Sequence, residues 1–469
     1  MSDELLQRVK DLEEEVERLK NQLRLNNGYK EEDDVNAKTT LDTIDGQTES
    51  KPGVSSKKTK KQTKQRPFDF SAHPRRHVAL RIAYLGWGYQ GFAVQENTDN
   101  TVEARLFEAL LKTRLIQDRQ TSNYHRCGRT DKGVSAFSQV ITIDLRSSQF
   151  SSGLGVTLPD KTPSGTPAGS ELPYLKMLNR VLPQDIRALD WAPAADGFSA
   201  RFDCQSRTYR YYFPRGALDV ALMADAAKRY VGTHDFRNLC KMDVGNGVLQ
   251  FQRTILAATI RPFREPAPGD PEDPRDPHDP YDLFVFEVKG LAFLYHQVRC
   301  MMALLLLIGQ KLESPEIINQ LLDVGSNPRK PQYSMAVDFP LVLYGCDFQG
   351  LAWQGGAGEE LNLAAAALQQ QWTRSAVETH VLRGMIRGLE AMGTVSSESC
   401  WLVEGSRQKN YKPLLERPCC ESLEARIEHF VKRGRLERDN GENGEETVHR
   451  GKRSKHFHGS AQPPDKTIN

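Results

Sequence analysis

Residues 298–308 restrict the possible folds of this chain more than any other stretch. They read V-R-C-M-M-A-L-L-L-L-I, and Arg299 is the single charge among them. The unbroken apolar run, 300–308, is too short to span a bilayer, which takes roughly 20 helical residues. A helix apolar on most of its faces belongs inside a core, covered from several sides. The pattern therefore predicts a buried helix over about 292–308. Arg299 is carried into that interior and needs a carboxylate partner. The run supplies none, so the partner must come from a remote part of the chain.

Alternating segments supply the layers that can cover such a helix. Val78, Leu80, Ile82 and Tyr84 alternate with Ala79, Arg81 and Ala83, which predicts a strand. Ile141, Ile143 and Leu145 predict a second, Tyr209, Tyr211 and Phe213 a third, and residues 254–260 and 283–289 two more. N-T-V-E at 100–103 resembles a capping box and opens a helix to about Leu115. Further helices are expected over 174–181, stopped by Pro183, and over 217–231. Strand, helix and strand, twice over, give an α+β class with sheet and helices segregated. Two helices within 362–392 and a third over 422–432 make 351–436 a helical C-terminal extension.

The 469 residues are 38% hydrophobic and 26% charged, more polar than one compact body of this size requires. The surplus is local. Residues 26–72 lack periodicity and carry Lys57, Lys58, Lys60, Lys61, Lys64 and Arg66 in a cluster without acids. Composition makes 26–72 a disordered basic linker, readable as a nuclear-import signal, an RNA-contacting arm or a solvated tail. Residues 147–172 (Ser, Gly, Pro, Thr), 262–282 (Pro, Asp) and 437–469 (polar) are expected to be disordered too. Order is expected from about His73, with one half of the body over 73–195 and the other over 196–350. Ahead of the linker, Val9, Val16 and Leu23 at a and Leu5, Leu12 and Leu19 at d make 1–25 a coiled-coil seam of the parallel-dimer type, or a lone amphipathic helix. These charged heptads are unlike a secretory signal, and no segment reads as a membrane span, so nucleus, cytoplasm or both are the expected compartments.

A net charge of only +2 means that any basic footprint for nucleic acid is local. Eight cysteines are scattered between Cys127 and Cys420, with no C-x-x-C pair and no histidine at ligand spacing beside them. That spacing argues against a zinc site and against a disulfide scaffold, so no metal is expected.

Few segments carry chemistry. C-G-R-T-D-K-G-V-S-A at 127–136 is bracketed by Gly128 and Gly133, where the backbone can turn tightly. In an extended chain Arg129 and Asp131 share a face, and such a pair alone is an ordinary surface ion pair. Asp131 is also a candidate partner for Arg299, since a cation alongside holds a carboxylate ionised and oriented. F-S-A-R-F at 198–202 and R-T-Y-R-Y-Y at 207–212 interleave basic and aromatic residues. Rings there can stack an unpaired base while arginines neutralise phosphate, or the segment is simply an aromatic strand. A competing motif, Gly86-x-Gly88-x-x-Gly91, fits the dinucleotide fingerprint. That fingerprint opens a helix directly, whereas the polar residues 95–100 intervene here, and Trp87 and Tyr89 are bulky where backbone must approach phosphates.

G-R-T-D-K-G-V-S-A at 128–136 closely resembles the G-R-T-D-x-G-V-x-A signature of the TruA family of tRNA pseudouridine synthases. Y-L-G-W-G-Y-Q-G at 84–91 is similar to the family's Y-D-G-x-x-Y-x-G-W-Q, with Leu85 for Asp and Phe92 for Trp. Residues 198–211 are similar to F-x-A-R-F…R-Y-R-Y, and 292–309 to A-F-x-H-x-x-V-R…G, so the resemblance covers about residues 76–349. Residues 124–133 and 232–242 look like the eukaryotic branch that acts on tRNA positions 38 and 39. The resemblance implies two ferredoxin-like halves sharing one central, mostly antiparallel sheet. It also implies an isomerase without cofactor, the tRNA anticodon stem-loop as partner, and a homodimer. Residue by residue, it makes Asp131 the nucleophile, Arg299 its ion-pair partner, Tyr209 the ring stacked on the target base and Arg129 the residue holding the flipped nucleotide. Lys132, Arg201, Arg207 and Arg210 are further candidate RNA contacts. A catalytically inactive tRNA-binding protein is the alternative.

Overall fold

The computed structural model describes residues 68–159, 170–263, 279–355, 358–393, 395, 410–440 and 446–450. The N-terminal heptads and the basic cluster lie outside them. The first half of the main sheet is built from β1 (Arg75–Tyr84), α1 (Val102–Lys112), β2 (His125–Arg126), β3 (Ser135–Arg146), β4 (Val156–Thr157), α2 (Tyr174–Asn179) and β5 (Ile186–Pro193). The second half is built from β6 (Cys204–Pro214), α3 (Val220–Ala227), β7 (Gly232–Asp235), β8 (Gln252–Pro262), β9 (Leu283–Gly290), α4 (Gln297–Gly309), α5 (Ile317–Leu322) and β10 (Leu341–Phe348).

The strand neighbours run β5-β1-β3-β2 in the first half and β10-β6-β9-β8 in the second. In each, the last strand pairs with the first, the first with the third and the third with the second, which is the βαββαβ order of a ferredoxin-like unit. The halves meet where β3 runs parallel to β10, through Ser135↔Val342 and Ala136↔Leu343. The other pairings of this sheet among the described residues are antiparallel.

Two apolar cores follow from this order. Val78, Leu80, Ile82, Ile141, Ile143 and Leu145 pack with Leu106 and Leu110 of α1 in the first. The second surrounds α4, in which every residue is buried, as the apolar run requires. Each fully buried Leu or Ile side chain contributes roughly 2 kcal/mol.

Several elements differ from their sequence patterns, for physical reasons. The buried helix starts at Gln297 rather than near Ala292: Gln297 Oε1 accepts the Leu294 N–H at 2.8 Å, and His296 takes a left-handed φ of 62°. The described residues begin at Phe68, ahead of the expected His73; the Phe68 ring takes the Arg114 and Arg146 guanidiniums against it and stacks on His73. Part of 147–172 is ordered as β4, since Glu171 accepts hydrogen bonds from Ser147, Ser148 and Arg76 and ties the segment to β1. The ends of 262–282 are also held, by Phe263 N to Leu283 O and Arg215 N to Asp282 O, while 264–278 lie outside the described residues. Instead of two helices there is one, α6 (Gly358–Met392), a stretch without proline to interrupt it. The helix expected over 422–432 is α7 (Leu423–Lys432), capped by Ser422 Oγ on Ala425 N. Beyond it β11 (Leu436–Asn440) and β12 (Glu446–Arg450) pair inside the stretch expected to be a disordered tail.

The N-cap of α1 is Thr101, one residue after the Asn100 at which the capping-box pattern starts, and Glu103 does not close a box. It is fully buried and accepts hydrogen bonds from Val94 N, Tyr124 Oη, Arg119 Nη2 and Arg126 Nη1, the last at 2.6 Å. Burial pushes its pKa up, but the Val94 N–H, Arg126, Tyr124 and Arg119 outweigh it and hold the carboxyl below its usual value. Its contribution is therefore present above the unfolded-state value and is lost as pH falls through the lowered folded value. Glu103→Ala should cost about 3 kcal/mol in denaturant melts at pH 7, with a smaller loss at pH 4; a change under about 0.5 kcal/mol, the size typical of plain surface sites, would contradict this.

Candidate active site

The loop between β2 and β3 carries Asp131, and nearly every residue of it is tethered. Gln139 brackets Gly128 with its amide, donating to Gly128 O at 3.0 Å. Tyr84 Oη meets Thr130 Oγ1 at 2.7 Å, Phe92 N donates to Thr130 O, and Gly133 N donates to Tyr89 O. The glycine segment after β1 is thus the cradle of this loop. A Cβ on Gly86 would stand 1.9 Å from Val134 O, so only glycine lets the two backbones come this close. Gly133 has φ +77° and a Cβ there would meet Asp338 Oδ1 at 2.8 Å. The objection to the competing dinucleotide motif holds: Gly86 and Gly91 approach another stretch of the same chain, at Val134 and Thr130, and α1 starts only at Val102.

Asp131 sits at the seam of the two halves. The expected ion pair to Arg299 is corrected. The carboxylate within 4 Å of Arg299 is Asp338, at 3.8 Å, and Arg299 Nε donates to Ala336 O at 2.8 Å. Arg299 still acts on Asp131 through space. Burial raises the Asp131 pKa to about 6, against the pull of Arg299, with Asp338 pushing it further up and Lys241 down. His296 Nε2 lies 3.6 Å from Asp131 Oδ2. Burial, then Arg299, Lys241 and Lys330, lower its pKa to about 4, so at neutral pH it is an uncharged neighbour rather than an ionic partner.

Tyr209 lies opposite Leu343 of β10 and packs against both cores, its ring edge-on to Phe293. Burial raises its phenol pKa far above the usual value, and the Asp131 charge adds to that, which places ring and carboxylate within electrostatic reach. Arg129 is exposed at the rim. Its pKa is lowered first by partial burial and then by Arg126 and Arg201, a cluster of like charge facing outward. Arg201, Lys132 and Phe202 are exposed as well. Arg207 and Arg210, also candidates for RNA contact, have partners within the protein. Arg207 donates to Leu291 O, Cys127 O and Arg201 O, and Arg210 pairs with Glu287 and covers the Tyr344 ring. Both guanidiniums brace the protein itself.

Beside Arg299, His296 and Asp338 opens a cleft of about 620 Å³, walled by Lys241 and Lys330 and by Cys420 and Arg426 of the C-terminal extension. Its volume is in the range of small-ligand clefts. Sequence reasoning did not single out Asp338, Lys241 or Lys330. The one available signal was the demand of Arg299 for a carboxylate, which Asp338 meets from just ahead of β10.

The family model described as tRNA pseudouridine synthase matches residues 226–349. A tRNA pseudouridine(38/39) synthase of Homo sapiens is 51% identical over 467 residues, 95% of this chain and 91% of that protein. One of Saccharomyces cerevisiae is 42% identical over 311 residues, 65% of this chain and 64% of that protein. A tRNA pseudouridine synthase A of Methanoculleus marisnigri is 32% identical over 290 residues, 61% of this chain and 89% of that protein.

Chemistry that uses the ionised Asp131 should gain rate as pH rises through about 6 and fall tenfold per unit below it. Asp338→Asn removes a negative neighbour and should move that acid limb to lower pH. A pH–rate profile of the chemical step checks both; an unmoved or raised midpoint in the variant would contradict the arrangement.

Proposed function

The chain belongs to the TruA family of tRNA pseudouridine synthases, and from that premise we propose that it isomerises uridines 38 and 39 of the tRNA anticodon stem-loop with the Asp131 carboxylate as nucleophile. The observation that carries the reading is the half-buried carboxylate of Asp131, its pKa raised, with Tyr209 and Arg299 around it. The reaction breaks the N1–C1′ bond, turns the uracil and joins C5 to C1′; a proton leaves C5 and one is taken up at N1. Composition and oxidation state are unchanged, so the chemistry calls for no redox or group-transfer cofactor.

The target base must first leave its stack, at a cost of a few kcal/mol. Arg129, Lys132 and Arg201 at the rim suit the phosphates on either side of a flipped nucleotide. The Asp131 carboxylate then forms a covalent intermediate that divides the isomerisation into two steps. The detached uracil has to stay in place while it turns, and the Tyr209 ring restrains its plane yet permits the rotation. The cleft with Lys241, Lys330 and Arg426 supports contact with adjoining RNA. The basic cluster 57–66 supports nuclear import or a further RNA contact.

A homodimer is part of the proposal. The N-terminal heptads support it, and so does α6, which exposes Trp372 and a stripe of Val377, Val381, Met385 and Leu389 at steps of four. A chain starting at Pro67 should remain dimeric and active, because a folded face can bury more apolar surface than three heptads. Light scattering on both lengths checks this; a monomeric full-length chain contradicts the dimer, and a monomeric shortened chain contradicts its origin.

Asp131→Asn keeps the shape and removes the attacking charge. Pseudouridine formation in tRNA should fall by roughly 1,000-fold or more while tRNA binding stays within a few-fold. Nucleotide-resolution mapping of tRNA incubated with the variant checks it; turnover above about a per cent of wild type would contradict the assignment.

A further inference from the structure

Cys127, Cys204 and Cys346 are far apart in the sequence, yet their sulfurs all lie within 4.8 Å of one another. Each comes from a different element at the seam. Cys127 directly precedes Gly128 of the Asp131 loop, Cys204 opens β6 and Cys346 lies in β10. All three are buried and unbridged, and the Cys127 and Cys346 sulfurs are 3.3 Å apart. Sulfurs at the corners of a tetrahedron around zinc, each about 2.3 Å from the metal, are roughly 3.8 Å from each other, close to the size of this triangle. Zinc ligands need not be neighbours along the chain: here they come from a loop and two strands that only the fold brings together.

We propose that Cys127, Cys204 and Cys346, with a water as the fourth ligand, form a structural site for one thiophilic divalent cation of the zinc class. Three thiolates and a divalent cation sum to a single negative charge. The Arg207 guanidinium offsets it, standing at the same place with Nη2 donating to Cys127 O at 3.1 Å. On binding, each S–H releases its proton to solvent as the sulfur–metal bond forms, with no electron transferred. The cation would join the start of the Asp131 loop to β6, which carries Tyr209, and to β10. It braces the two halves against each other and takes no part in the isomerisation. The competing states are three reduced thiols filling space as small apolar side chains and a Cys127–Cys346 disulfide.

The test uses the full-length chain, reduced and metal-free. Zinc is titrated against a chromophoric chelator, and cobalt(II) is titrated anaerobically. The same titrations are run on Cys204→Ser, on Cys346→Ser and on a Cys419→Ser/Cys420→Ser control that removes thiols outside the cluster. Expected are about one equivalent bound per chain, tetrahedral cobalt bands with sulfur charge transfer, and a zinc-dependent rise in Tm. All three should vanish in the first two variants and persist in the control. Should a serine variant fail to fold, the charge-transfer intensity of wild-type cobalt protein counts its sulfur ligands, and three are required. No tight binding, fewer than three sulfurs, binding unchanged by Cys204→Ser, or intact-mass loss of two hydrogens at Cys127 and Cys346 would each overturn the proposal.

Discussion

A short parallel contact, Ser135↔Val342 and Ala136↔Leu343, holds two ferredoxin-like halves in one sheet, and the site depends on it. The loop with Asp131 runs directly into β3, and Asp338 stands just ahead of β10, so pairing these two strand starts brings both carboxylates together. Continuing across β10, Leu343 is opposite Tyr209, which sets the aromatic ring beside the same carboxylate. A slip of one residue at this seam would turn every side chain of β10 to the other face. Register at a few residues therefore determines whether Asp131 and Tyr209 meet at all. The tethers of the glycine segment to Thr130 and Gly133 hold the loop in place from the other side.

The electrostatics explain why a nearby arginine is useful without being a tight partner. A carboxylate clasped by a guanidinium is strongly acidic and correspondingly weak as a nucleophile. Asp338 takes the Arg299 contact, at 3.8 Å, and Asp131 is left desolvated with a pKa near 6. It is then ionised at neutral pH yet more basic than an ordinary aspartate. Lys241 and Arg299 keep the ionised form accessible in a site that burial alone would push towards the neutral acid.

Much of this was legible in the sequence. Period-two alternation marked β1, β3, β6, β8 and β9, the apolar run marked α4, and the glycine-bracketed motif marked the loop with Asp131. What was not legible was non-local. No local pattern separates Asp338 from a surface aspartate, and its pairing with Arg299 exists only once β10 lies beside β3. The intramolecular partners of Arg207 and Arg210 in the basic-aromatic stretch, Leu291, Cys127 and Glu287, likewise come only with strand pairing. Composition misread the two described ends of 147–172, residues 147–159 and 170–172, because one residue, Glu171, satisfies several donors at once and anchors them, while 160–169 lie outside the described residues. The start of α4 was misplaced because a left-handed histidine, unlike a glycine or proline, leaves no mark in sequence.

The account stands on Asp131 being an ionised carboxylate with a raised affinity for protons, and that is directly measurable. Carboxyl-carbon NMR of aspartate-labelled protein, compared with Asp131→Asn to assign the resonance, follows the titration of this one group. A midpoint near pH 6 is predicted. A midpoint at or below about 4, the value of an ordinary solvated aspartate, would contradict the buried-nucleophile account.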